Sequence, residues 1–271
     1  MNQLLFFVRL LRAMARGAGI VVMTIVLTVP AVMAVAATGR CPLILPRLWH
    51  RGACVLTGIR VNRIGEENTA GDSVLVANHV SYLDIMAIGA WTDTVFVAKS
   101  DISEWPVIGP LSRLIGTVFV SRSPARAGQE RDRILDVLGR HRSLCFFPEG
   151  TSSDGRDVLP FKSALFDAVM ESGAAIHPVT LVWCDEDAGY AWYGEMSLLP
   201  HLGRVLMRSG VQVDLVRHPA VASRAFTDRK ALARHAEAAV RAGLSSAPRE
   251  VDDPLVLMAL PLIETAWSRA A

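Results

Sequence analysis

Ser73-Val74-Leu75-Val76-Ala77-Asn78-His79-Val80-Ser81-Tyr82-Leu83-Asp84 passes from a β-rich apolar run, through two polar residues, into a helical pattern spanning Leu83 to Ala90. A short apolar run halted by Asn and His and followed at once by a helix reads as the first strand–turn–helix unit of an α/β fold. The same alternation continues along the chain. Strands are expected at Val95 to Ala98, Thr117 to Val120, Leu144 to Phe147 and Ile176 to Val182. Between them, helices are expected at Glu104 to Ile115, Gln129 to Gly139 and Ala164 to Glu171. A later strand, Val211 to Val216, and an Ala-rich helix, Ala222 to Gly243, complete the pattern. The fold class read from this is α/β, with a mixed, largely parallel sheet flanked by helices.

Upstream of this body the composition changes. From Met1 to Gly65 there are eight Arg and no Asp or Glu, although the whole chain carries a formal net charge of only +2. The remainder is therefore acidic. A basic, apolar segment ahead of an acidic body points to anionic lipid and away from nucleic acid, because no basic and aromatic pattern continues into the body. Between Arg16 and Arg40 lie 23 uncharged residues, long enough to span a bilayer as a helix. Pro30 falls inside this run and is expected to kink it. Arg9, Arg12 and Arg16 recur at helical spacing and form one basic stripe among Leu4, Phe6, Phe7, Leu10 and Leu11, a pattern suited to a lipid interface.

A second helix is expected from Pro46, with Leu45, Leu48, Trp49, Val55 and Leu56 on one arc and Arg47, His50 and Arg51 opposite. With Arg at both ends of the apolar run, a full span competes with a helical pair dipping into one leaflet, and the pair is slightly favoured. Ala34-Val35-Ala36 resembles a leader cleavage site, but the apolar run is long for a leader and another amphipathic segment follows immediately. The organisation expected is residues 1–65 as anchoring helices, 66–245 as the α/β domain and 246–271 as a tail. Cys41, Cys54, Cys145 and Cys184 lie far apart without a CxxC pair, which signals neither a zinc site nor a disulfide framework and fits a reducing compartment.

Two segments carry chemistry. In α/β folds the carboxyl ends of strands face the ligand crevice, so His79 is well placed to act on a substrate. If the turn returns Asp84 to the imidazole, the carboxylate fixes the tautomer and leaves the other ring nitrogen as a base. The bland alternatives are a hydrogen-bonded turn histidine and a helix-capping aspartate. The second segment, Phe146-Phe147-Pro148-Glu149-Gly150-Thr151-Ser152-Ser153-Asp154-Gly155, places a carboxylate, hydroxyls and backbone amides at another strand end, suited to a polar acceptor. Read alone it is also an ordinary loop.

Taken together, the two segments resemble the glycerolipid acyltransferase family, whose type members are the 1-acyl-sn-glycerol-3-phosphate acyltransferases and which includes a lyso-ornithine lipid branch. That family reads His, four residues, Asp, and later Phe-Pro-Glu-Gly-Thr; both are complete here at His79 to Asp84 and Phe147 to Thr151. Its middle block is similar to Gly116-Thr117-Val118-Phe119-Val120-Ser121-Arg122, and Lys99, Trp105 to Gly109 and Pro178-Val179 look like further family positions. The likeness spans about Val61 to Val182.

The resemblance implies that His79 is the general base and Asp84 its partner, with Arg122, Glu149, Gly150, Thr151 and Ser152 around the acceptor's head group. Arg122 suits a phosphate or carboxylate through its planar fork of donors. Lys162 is similar to a family basic position, but Ala164 stands where the family usually continues to Gly. Ser152 departs from members that use lysophosphatidic acid, which commonly carry Arg after the Thr; a hydroxyl cannot neutralise a phosphate, so a broader or shifted acceptor range that includes lyso-ornithine lipid is expected.

The activity implied is transfer of a fatty acyl group from acyl carrier protein or CoA to the free hydroxyl of a lysolipid, at the cytoplasmic face of a bacterial inner membrane. The thioester is already activated, so neither an enzyme nucleophile nor a cofactor is expected. In keeping with this, the chain has no GxSxG elbow, P-loop or GxGxxG fingerprint, and its histidines lack metal-ligand spacing. Two other classes compete. A lipid-ester hydrolase requires a nucleophile the sequence does not offer, and a non-catalytic membrane adaptor on the same fold would have lost His79 or Asp84.

Overall fold

A computed structural model describes residues 3–65, 73–121, 127–140, 142–185 and 188–246. The chain opens with helix α1 (Gln3–Thr38) and helix α2 (Ile44–Thr57), then strand β1 (Ile59–Ile64). The body follows as β2 (Ser73–Ala77), α3 (Leu83–Gly89), β3 (Thr94–Lys99), α4 (Ile108–Leu114), β4 (Val118–Val120), α5 (Ala127–Gly139), β5 (Ser143–Phe146), α6 (Phe166–Ser172) and β6 (Ala175–Cys184). It ends with α7 (Leu198–Met207), β7 (Val211–Arg217), β8 (Val221–Ala222) and α8 (Arg229–Ser246).

These strands form one eight-stranded sheet in the order β1-β7-β6-β2-β5-β3-β4, with β8 against β6. β6 pairs antiparallel with β7 and β8, and the other pairings are parallel. The sheet is thus mixed and largely parallel, as the alternating pattern predicts.

Strand periodicity sorts the core into two layers. Val74 and Val76 of β2 face one way, into a cluster with Ile134, Leu138, Phe166, Val169, Leu232 and Val240 from α5, α6 and α8. Leu75 and Ala77 face the other way, into a cluster with Ala53, Cys54, Leu83, Ile88 and Val205 from α2, α3 and α7. β2 is buried along its whole length, which is why it reads as an uninterrupted apolar run.

Three features of the amino-terminal segment bear on the expected pattern. First, Ile59 to Ile64, assigned by sequence to the anchoring helices, forms the edge strand of the sheet, parallel to β7 from Ile59 opposite Val211 to Ile64 opposite Val216. Gly58 makes the junction possible: at φ 78° it ends α2 in the left-handed conformation, and its carbonyl accepts from Val211 N–H. Second, α2 keeps its two faces apart. His50, Ala53, Cys54 and Thr57 are buried while Ile44, Leu48 and Val55 are exposed, so the arc carrying His50 packs on the body and much of the apolar arc looks out. Burial pushes the His50 pKa down to about 4, keeping the imidazole neutral beneath Gly89 and edge-on to Phe96.

Third, α1 continues through Pro30 as one helix of 36 residues, about 54 Å long. It is long and apolar enough to cross a membrane, and little of it is covered by protein; Leu4, Phe7, Leu11, Met14, Val21, Ile25, Val29 and Met33 are exposed. Its basic stripe is divided between two uses. Arg16 donates to the Leu206 and Arg208 carbonyls at 3.0 and 2.7 Å, and Arg12 to the Arg208 carbonyl at 3.2 Å, so both cap the carboxyl end of α7. Arg9 remains exposed.

Candidate active site

The two motifs meet because their strands are neighbours. β2 and β5 run parallel with Val76 opposite Phe146, so the residues after each strand emerge side by side at the same edge of the sheet. Asn78 fixes the height of this edge: its side chain donates to the Leu181 carbonyl at 2.9 Å and accepts from Leu181 N–H at 2.8 Å, extending the β2–β6 pairing by one side chain.

The turn from β2 into α3 returns Asp84 to His79. Asp84 Oδ2 lies 2.8 Å from His79 Nδ1 and also accepts the Val80 and Ser81 N–H groups at 2.7 and 2.9 Å. The catalytic and the capping readings of Asp84 thus describe the same oxygen. Asp84 is fully buried, whereas the His79 side chain keeps 19% of its surface exposed. With Nδ1 held by the carboxylate, Nε2 has no partner among the described residues and is the nitrogen left to receive a proton. Phe147 stacks on the imidazole, with ring centroids 4.1 Å apart and planes 15° apart, so the ring is held in plane as well as in tautomer.

Glu149 clamps the site from below. Its Oε1 accepts from His79 N–H at 2.7 Å and its Oε2 from Leu159 N–H at 3.1 Å, and the residue is 2% exposed. Burial pushes its pKa up from its ordinary 4.5 to about 7, against the lowering effect of those two N–H donors. The resemblance puts Glu149 at the acceptor's head group; here each of its oxygens holds a backbone amide. Ser152 is similarly occupied, since its hydroxyl donates to the Trp192 carbonyl at 2.5 Å. Trp192 N–H in turn donates to the Val80 carbonyl at 2.9 Å, and Ser153 N–H to the His79 carbonyl at 2.9 Å. The 188–197 loop is thereby stapled onto the His79–Asp84 turn.

Gly150 sits at φ 68° with the Lys162 side chain across the space a Cβ would need, which brings Lys162 over the second motif. Lys162 and Thr151 are exposed at the mouth of the site. Arg122 follows the end of β4 but lies outside the described residues, as does the tail beyond Ser246. Among the described residues no group of three or more His, Cys, Asp or Glu is gathered to hold a metal.

Two participants carry no motif signal. Trp183 Nε1 donates to Asp84 Oδ1 at 2.8 Å from a strand end 99 residues away, and Trp192 stands edge-on to Tyr82 beside the turn. An apolar aromatic at a strand end reads as core, and only the sheet register brings Trp183 to Asp84.

This arrangement has known counterparts. The family described as Acyltransferase matches residues 59–182, from β1 into β6. The chain is 39% identical over 185 residues to the lyso-ornithine lipid O-acyltransferase of Rhodobacter capsulatus, covering 65% of this chain and 67% of that one. It is 36% identical to the enzyme of the same name from Brucella abortus, over 75% of this chain and 82% of the other. A 1-acyl-sn-glycerol-3-phosphate acyltransferase of Neisseria gonorrhoeae is 35% identical over 68% of this chain and 74% of its own length. In fold, the chain is similar to the crystal structure of the 1-acyl-sn-glycerophosphate acyltransferase from Thermotoga maritima, with a TM-score of 0.57, 23% identity, and coverage of 75% and 78%. A histidine held by a buried aspartate at the edge of a largely parallel sheet, in a chain this similar over most of its length to named acyltransferases, identifies it as a member of the acyltransferase family.

Proposed function

We propose that the chain transfers a fatty acyl group from an acyl thioester, carried on acyl carrier protein or CoA, to the free hydroxyl of a lysolipid, and that lyso-ornithine lipid is its acceptor. The observation that carries the reading is the His79–Asp84 pair: Nδ1 fixed at 2.8 Å by a fully buried carboxylate, with Nε2 left for substrate. His79 Nε2 removes the acceptor's hydroxyl proton as the oxygen attacks the thioester carbonyl. Collapse of the tetrahedral intermediate breaks the C–S bond, and the imidazolium returns the proton to the departing thiolate. Asp84 holds the tautomer and stabilises the imidazolium while it lasts.

The choice of acceptor is supported by two observations. The relatives from Rhodobacter capsulatus and Brucella abortus are named for lyso-ornithine lipid. Position 152 holds a serine whose only hydroxyl proton is given to the Trp192 carbonyl, so nothing there neutralises a phosphate. The Neisseria relative supports lysophosphatidic acid as the second reading. Thr151, Lys162 and Arg122 are the residues we assign to the head group, Thr151 and Lys162 because they stand exposed at the mouth of the site. We place the enzyme on the cytoplasmic face of a bacterial inner membrane, with the exposed apolar surface of α1 in the lipid and Arg9 at its phosphates. The test offers purified protein lyso-ornithine lipid and lysophosphatidic acid in parallel, each with acyl carrier protein and CoA donors. Preference for lysophosphatidic acid with either donor overturns the assignment of acceptor.

A further inference from the structure

We propose that Trp183 is a positioning residue for acyl transfer, acting through Asp84: its indole N–H, 2.8 Å from Asp84 Oδ1, sets the angle at which the carboxylate meets His79. This rests on the reading of His79 as base. Asp84 is fully buried, and its two oxygens are used unequally. Oδ2 serves His79 Nδ1 and two backbone amides, whereas Oδ1 has the indole as its single partner among the described residues. Remove that N–H and a buried, charged oxygen is left without a donor, free to rotate about the terminal torsion in search of one. Rotation moves Oδ2 away from Nδ1.

Indole suits the task because it can only donate. Unlike a hydroxyl or an amide, it has no second arrangement in which it turns an acceptor toward Asp84. Its own position is secured from behind. Tyr190 stacks on it at 5.8 Å and 12°, the Arg208 guanidinium lies 4.8 Å over Tyr190, and Arg208 pairs with Asp185 at 2.7 Å. From the side, the Asn78 bracket around Leu181 fixes the strand on which Trp183 stands. Trp183 stands one residue beyond the stretch that matches the family, on the strand in which that stretch ends.

A merely structural role moves melting temperature but does not act through Asp84, so its cost is the same whether residue 84 is Asp or Asn.

The decisive substitution exchanges the residue 183 indole for benzothiophene, sulfur in place of N–H, by incorporation of benzothienylalanine into the full chain; Trp183→Phe is the genetic counterpart. Steady-state rates are read from thiol release with an acyl-CoA donor and whichever lysolipid the wild type turns over, in detergent. The expected result is a fall in kcat of about ten- to a hundredfold, with acceptor KM within about twofold. In an Asp84→Asn background the same exchange causes no further loss, because the partner through which Trp183 acts is gone. An unchanged kcat in a protein whose turnover still requires His79 overturns the proposal, and so does an equal loss in both backgrounds. Undiminished turnover in His79→Ala overturns instead the reading beneath it. If Trp183→Phe does not fold, the benzothiophene exchange decides alone, since it preserves size and stacking.

Discussion

Glu149→Gln separates two roles for the carboxylate of the second motif. If it holds the lysolipid's head group, neutralising it raises acceptor KM. The structure gives it other work, since its oxygens hold His79 N–H and Leu159 N–H in a site that is 2% exposed. Glutamine has one acceptor and one donor to offer, so one of these two amides faces an NH2 group. Keeping the oxygen on His79 at 2.7 Å and giving up the longer bond to Leu159 is the better choice. Near pH 5 the wild-type carboxyl is protonated, and the loss of one bond leaves the variant about 1 kcal/mol less stable, or about 2–4 °C lower in Tm.

Above that pH the balance changes. Burial raises the carboxyl from 4.5 to about 7, so between those values the folded chain keeps a proton that the unfolded chain has released. Wild-type stability therefore falls as pH rises through this window, by about 3 kcal/mol in all, and is flat above it. Glutamine does not titrate. The variant should accordingly melt below the wild type at pH 5 and above it at pH 8, measured by thermal unfolding in detergent across pH, with kcat lowered and acceptor KM unchanged. A raised acceptor KM together with a melting order that ignores pH would refute the clamp and return Glu149 to the head group.

Three further outcomes are expected. His79→Ala abolishes transfer while the protein still folds, and Asp84→Asn lowers kcat by about 10²- to 10⁴-fold, because an amide oxygen at the Oδ2 position keeps the turn but not the charge; single-turnover rates and circular dichroism check both. Ser152→Arg lowers KM for lysophosphatidic acid relative to lyso-ornithine lipid by about three- to fivefold, and lowers kcat on both because the Trp192 staple is lost; competition between the two acceptors measures it. Deleting residues 1–40 releases the protein from membranes and also lowers its Tm, since Arg12 and Arg16 leave the end of α7 uncapped; retention in the pellet after a high-salt wash would place the anchor elsewhere.

The legibility of the site follows sequence distance. His79 and Asp84 are five residues apart, so one turn decides whether they meet, and their residue types already imply that turn. Glu149 was visible as a motif but not as a clamp, because its grip on His79 depends on Val76 standing opposite Phe146 across two strands. Strands β2 and β5 were legible because burial on both faces makes them largely apolar. β1 was not, because an edge strand with one covered face carries Arg60, Asn62 and Arg63 and reads as polar. The helix expected over Glu104 to Ile115 is a 3₁₀ turn at Ser100–Glu104 followed by α4, with Trp105 and Pro106 between them. The helix expected from Ala222 begins at Arg229, after β8 and a second 3₁₀ turn, and α7 was hidden by Pro200 and Gly203. The two arcs of α2 were legible but not their surroundings, because periodicity finds an apolar arc and cannot say whether protein or lipid covers it.

The arginine caps on α7 fix an order of events during synthesis. Arg12 and Arg16 leave the ribosome 190 to 196 residues ahead of the carbonyls they bind, and Ile59 likewise precedes its partner Val211. At ordinary elongation rates that interval is roughly 10–40 s. Throughout it α1 and α2 have each other but not α7, so the guanidinium groups that will cap it wait for their partners. β1 likewise waits without its partner until β7, the last strand of the main path, is made. Translation thus delivers the long apolar helix first, and Trp183 reaches the His79–Asp84 turn only when most of the sheet has already been made.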